Sequence, residues 1–180
     1  MGETSQPTPV LLIVAIFSRY DEALAWAKTR CADGWGGVAL ESDQFAFEWT
    51  PYYEPSMGDD LRKLFLAFEQ PVDPGRLPEL KHQANVWEQE YAEQADHDVV
   101  RPLNLDPGYV TQGKLILAST KNHAHRIYLS SGIYAELTLQ YRDKRWQKLP
   151  WTYPDYCQDE YHQFFTQCRE YLRSRLRQAE

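Results

Sequence analysis

The sequence predicts an α+β domain, a mainly antiparallel sheet with flanking helices, and three observations carry that expectation. Val10 to Phe17 is an apolar, partly β-branched run that reads as a strand buried on both faces, and Tyr20, Leu24, Ala27 and Cys31 follow it at helical intervals. Leu77, Leu80, Ala84, Trp87, Tyr91 and Ala95 mark a second, longer amphipathic helix with glutamates on its outer side. Beyond residue 125 the pattern changes to alternating runs separated by turn residues, the signature of a hairpin or meander.

Taken in order, Met1 to Pro9 is polar and proline-containing and is expected to be a disordered leader, with residues 10–180 forming a single domain. Ser18 and Asp21 have capping-box spacing at the start of the first helix. Gly36 to Leu40 and Phe45 to Trp49 read as short strands, and the prolines of Thr50-Pro51-Tyr52-Tyr53-Glu54-Pro55 exclude regular structure after them. Leu61 to Phe68 fits a strand or a short helix; its length and the stop at Pro71 favour a strand. Val99 to Leu105 is expected to add a strand that completes a ferredoxin-like, split βαβ first half. Asp106-Pro107-Gly108 reads as a turn. Val110 to Ala118 reads as helix on the strength of Lys114, Leu115 and Leu117, with Gly113 counting against it. Arg126 to Leu129 and Ile133 to Leu139 flank Ser130-Ser131-Gly132 as a β-hairpin, and Arg145 to Leu149 adds a third strand. The final helix starts near Asp155 and buries Tyr161, Phe164, Phe165, Cys168, Leu172 and Leu176. No internal repeat or long linker divides the chain.

Composition narrows the function classes. The net charge of −7 is uneven: residues 1–106 hold 19 acids and 8 bases, whereas residues 107–149 hold 2 acids and 7 bases together with two histidines. An acidic whole argues against general coating of nucleic acid, while a basic segment of this kind could attract a compact anion. Arg142, Lys144, Arg145 and Lys148 equally fit a solvated hairpin. The three cysteines, Cys31, Cys157 and Cys168, show neither CxxC spacing nor an even count, so a reduced, cytoplasmic protein is expected. The longest apolar run falls far below the ~20 residues that span a bilayer. Gln6 also stands where an N-myristoylation motif needs Ser or Thr.

Residues able to carry chemistry are densest between 104 and 136. Asp106, His125 and Glu136 are the candidate acid, base or metal-binding groups, and Asn104, Lys114, Thr120, Lys121, His123 and Arg126 the candidate ligand-binding groups. If the segment folds back on itself, its cations and hydroxyls could converge on a phosphate or carboxylate. On a strand, His123 and His125 would point to one face and could share a divalent metal, with Asp106 or Glu136 as a further ligand. Each group has a structural alternative: Glu136 as the cross-strand partner of Arg126, Asp106 as the side chain shaping an Asx turn, and Trp151 to Tyr156 as a staple docking the last helix. No phosphate loop, dinucleotide fingerprint, HExxH, GxSxG or zinc-finger spacing occurs.

Several longer stretches carry a family resemblance: Asn104-Leu105-Asp106-Pro107-Gly108-Tyr109, Lys114 to Lys121, His125-Arg126-Ile127-Tyr128-Leu129, Gly132-Ile133-Tyr134-Ala135-Glu136 and Pro150 to Tyr156. In these the chain resembles the prokaryotic family called domain of unknown function 4416, and the likeness runs from the first strand to the last helix. What the resemblance implies is a stand-alone prokaryotic protein of about this length, with no activity to carry over. The expected function is therefore drawn from the residues: binding of a small anionic, phosphorylated or nucleotide-like ligand through residues 104–136. If catalysis follows, hydrolysis or transfer at a phosphate ester is the expected chemistry. The alternative is a non-catalytic module that holds a protein or RNA partner through edge strands and aromatic loops.

Overall fold

All eight residues of β1 (Leu11–Ser18) are buried, because the strand lies in the middle of a nine-stranded antiparallel sheet with helices on both faces. The computed structural model describes residues 2–178. Even-numbered Leu12, Val14 and Ile16 pack with α1 (Asp21–Trp35) and α3 (Leu77–Gln94), whereas odd-numbered Leu11, Ile13 and Ala15 pack with α4 (Asp159–Gln178). The two-residue repeat of a strand thus divides one apolar run between two cores.

β4 (Arg62–Phe68) pairs with one side of β1 and β5 (Asn104–Val110) with the other. The short strands β2 (Val38–Glu41) and β3 (Phe45–Ala46) lie end to end along the outer side of β4. On the far side the sheet continues through β6 (Lys114–Ser119) to the long β8 (Ile133–Arg142). β7 (Arg126–Ser130) and β9 (Arg145–Lys148) share the outer side of β8 in the same end-to-end manner. The order β2-β4-β1-β5-β6-β8-β7 is one uninterrupted sheet that joins the first half to the meander.

Several expectations change. The proline-rich stretch after β3 is regular, a 3-10 turn over Pro51–Tyr53 and one helical turn, α2 (Glu54–Met57), and the strand expected over Val99 to Leu105 is β5, which starts only at Asn104. Asp106-Pro107-Gly108 is the centre of β5, opposite Ala15, Val14 and Ile13, and not a turn. Val110 to Ala118 is the β5–β6 hairpin and not a helix; Gly113 sits in its turn, where the Thr111 side chain accepts from the amides of Gly113 and Lys114. Helix-forming residues lose here because Leu115 and Leu117 bury on the α4 face and Ile116 and Ala118 on the other, a strand's alternation. Ser18 makes no capping box: its hydroxyl donates to the Pro102 carbonyl at 2.6 Å and accepts from the Tyr20 amide at 3.0 Å. The last helix is preceded by a 3-10 turn, Pro154–Cys157, so Asp155 stands outside it. Gly2 to Pro9 has no regular secondary structure and is exposed; Met1 of the expected leader and the last two residues of the expected final helix lie outside the described residues. No helix among the described residues is long and apolar enough to cross a membrane.

Candidate ligand-binding cleft

β5 pairs with β1 from Asn104 to Val110 but with β6 only from Gly108 to Val110. Pro107, which has no N–H to offer a neighbour, stands where β6 leaves β5. One residue on, the strands are as close as backbone allows: a Cβ on Gly108 would overlap the Ile116 carbonyl oxygen and lie 2.7 Å from Leu117 Cδ2. Beyond this pinch the sheet opens into a cleft of about 760 Å³. Register sets its walls: Lys63 lies opposite Phe17, Phe17 opposite Asn104, and Glu136 opposite both Leu117 and Arg126. These side chains belong to the face that α4 covers further along the sheet. Here the loops around Tyr52, Thr120 and Tyr153 close over them instead.

Three charged groups line the cleft. In the first, Arg126 is buried and engages every guanidinium nitrogen while leaving one Nη2 N–H unused: Nε donates to Glu136 Oε2 at 2.8 Å, Nη1 to Ser119 Oγ at 2.7 Å and the Lys121 carbonyl at 3.1 Å, and Nη2 to the Tyr153 hydroxyl at 2.9 Å. Beside it Lys121 meets no carboxylate among the described residues; its ammonium donates to the Tyr52 hydroxyl at 2.6 Å and lies 4.2 Å from that ring's centre. This ammonium lowers the pKa of the Tyr52 phenol. In the second group, Asp106 accepts from Lys81 at 2.9 Å and from Asn104 Nδ2 at 2.9 Å, while Arg101 bridges Asn104 and the carboxylate of Glu88. Burial opposes ionisation of Asp106, yet the amines of Lys81 and Lys63 and the guanidinium of Arg101 outweigh it and hold the carboxyl below its usual range. Burial prevails at Glu88, whose carboxyl is pushed up. The third group is Lys63, 2.7 Å from Asp155 Oδ2, with both side chains within 5% of full burial.

A family model described as a domain of unknown function, DUF4416, matches residues 8–171. The chain belongs to that family. No curated protein and no solved structure matches it.

Of the residues singled out from the sequence, this DUF4416 chain brings Asn104, Asp106, Thr120, Lys121, His123, Arg126 and Glu136 to one cleft. His125 stands behind its wall, with Nε2 3.2 Å from Glu136 Oε2 and its ring stacked between Trp151 at 5.4 Å and His123 at 5.8 Å. Lys114, at the hairpin end of β6, is exposed and does not line the cleft. The two histidines occupy the loop before β7, so strand alternation does not orient them, and no three His, Cys, Asp or Glu side chains among the described residues form a group able to hold a metal. The pairing of Arg126 with Glu136 across the hairpin is present.

Sequence reasoning passed over Lys63, Lys81, Arg101 and Asp155. For the two lysines a signal existed. Lys63 alternates with Phe65 and Ala67, so a strand over Leu61 to Phe68 puts its charge on an apolar face, and Lys81 falls four residues after Leu77 in the apolar stripe of α3. Arg101 and Asp155 gave none, since each lies in an irregular segment whose position depends on the fold.

Proposed function

We propose that the cleft binds a small anionic ligand, phosphorylated or nucleotide-like, with its anion between Lys121 and Arg126. One observation carries this reading: in a chain of net charge −7, five Lys and Arg side chains but only three carboxylates line the cleft. Lys121 supplies the uncompensated charge, and Ser119, Thr120 and His123 stand beside it as further hydrogen-bonding groups. A cleft of this volume falls in the range of small-molecule sites, roughly 300–1,000 Å³. Phosphate-ester hydrolysis or transfer would require Asp106 or Glu136 to act on the bound ester. Both carboxylates already hold cations, so binding is the primary function and turnover a further step.

A thermal-shift titration with inorganic phosphate and ribose 5-phosphate tests the proposal. A ligand at a hundred times its dissociation constant adds roughly 2.7 kcal/mol, an easily read rise in Tm. Lys121→Ala, a change at an exposed side chain, is expected to abolish the rise without altering the unliganded Tm. Binding that survives Lys121→Ala would refute this placement of the anion.

A second reading, a module that holds a protein or RNA partner, is favoured by β7. Among the described residues it is a free edge of the sheet, and Ile127, Tyr128 and Leu129 are 72%, 58% and 40% exposed. An unblunted apolar edge is a template for strand addition. Ile127→Lys should then eliminate partner capture and leave anion binding intact; capture unaffected by that charge would refute it.

A further inference from the structure

Lys63 and Asp155 in the wall of the cleft are unexplained by stability alone. A buried ion pair is commonly no better for folding than two apolar side chains of similar size. This one is also incompletely satisfied. An ammonium has three N–H donors, and among the described residues Lys63 Nζ has one hydrogen-bond acceptor, Asp155 Oδ2. The other oxygen of Asp155 accepts no hydrogen bond from the described residues, and both side chains line the cleft. Tyr161, whose ring centre lies 5.7 Å from the ammonium, carries a buried hydroxyl with no partner among the described residues. Around this unused polar capacity the surroundings are flat and aromatic: the rings of Phe17, Phe47 and Tyr156 lie 5.4, 5.2 and 4.3 Å from Lys63 Nζ.

A donor and an acceptor side by side, in a cleft lined by Phe17, Phe47 and Tyr156, complement a planar group that presents a carbonyl next to an N–H. Joined to an anion held at Lys121 and Arg126, such a group makes a phosphate ester of a flat heterocycle. We infer that the cleft binds a nucleoside-phosphate-like ligand whose ring edge is read by the Lys63–Asp155 pair; this rests on the anion-binding reading above. The ring's carbonyl takes an N–H of Lys63, its N–H donates to the free Asp155 oxygen, and its faces meet the aromatic walls.

The test is calorimetric titration of the full chain with inorganic phosphate, ribose 5-phosphate and the 5′-monophosphates of adenosine, guanosine, cytidine and uridine. A hydrogen bond to a charged group contributes enough to predict that at least one nucleotide binds about 10- to 150-fold tighter than ribose 5-phosphate. In the double variant Lys63→Met, Asp155→Leu, which removes both charges together, that margin should vanish while ribose 5-phosphate binds as before. Equal affinity for ribose 5-phosphate and all four nucleotides would overturn the ring subsite and leave the anion site standing. A margin that persists in the double variant would also overturn it, since the pair would then not be reading the ring. No binding of phosphate or ribose 5-phosphate would overturn the anion site and this inference with it. Should the double variant fail to fold, the wild-type margin between ribose 5-phosphate and the nucleotides decides the outcome alone.

Discussion

Lys63→Met should be among the most damaging single substitutions in this protein, and Asp155→Leu should rescue it. The two side chains are 4% and 5% exposed and 2.7 Å apart, one on β4 and the other in the turn before α4. Methionine fills the volume of the lysine chain among the aromatic rings, so no cavity is created. What remains is a buried carboxylate with no partner, and breaking a buried pair in this way costs about 3–5 kcal/mol. Removing the second charge takes the stranded ion away and should return stability to within about 1 kcal/mol of the wild type. With a urea dependence of about 2 kcal/mol per molar, the single variant's midpoint falls by roughly 2 M and the double variant's by less than about 0.5 M. Urea unfolding of the wild type, both single variants and the double variant closes a mutant cycle and yields the coupling directly. A loss below about 1 kcal/mol for Lys63→Met, or a double variant no more stable than the single, would show that the pair is not a desolvated unit.

Three further outcomes follow from the same structure. Gly108→Ala forces a methyl group onto the Ile116 carbonyl and should destabilise by about 2 kcal/mol or more, read as a lower Tm; an unchanged Tm would mean that the strands can part without cost. Asp106 has a folded pKa below its ordinary 3.8, so it contributes stability above that pH that is lost as the pH falls through the folded value. Asp106→Asn should therefore be less stable than the wild type at neutral pH, with the gap closing below about pH 3.8 in thermal melts; a gap that persists unchanged would refute the coupling to Lys81. Burial pushes the Cys31 thiol up to about 12 and Cys168 higher still, whereas Cys157 is partly accessible. A disulfide reagent should thus modify one thiol quickly in the native state and the other two only on unfolding.

How much was legible in the sequence depended on which interactions decide each element. β1, the three long helices and the β7–β8 hairpin are set by local periodicity and turn residues, and these the pattern shows directly. At the hairpin the positive φ of Ser131 and Gly132 supplies the turn that its strands need. Asp106-Pro107-Gly108 misled because each residue favours a turn locally. Its pairing with Val14 and its neighbours, made across some 90 residues of chain, outweighs that preference. Helix propensity at Lys114 to Leu117 yields for the same reason, since the alternating faces of β6 bury against two separate cores.

From the sequence alone came the α+β class, the family resemblance, the reversal of charge after residue 106 and seven side chains that line the cleft. Those are properties of composition and short-range order, which survive in a string of letters. The cleft itself, the exclusion of Lys114, the place of His125 behind Glu136 and the buried Lys63–Asp155 pair were decided by tertiary structure. Lys63 and Asp155 are 92 residues apart, and only the register of β4 on β1 and the docking of α4 bring them within hydrogen-bonding distance.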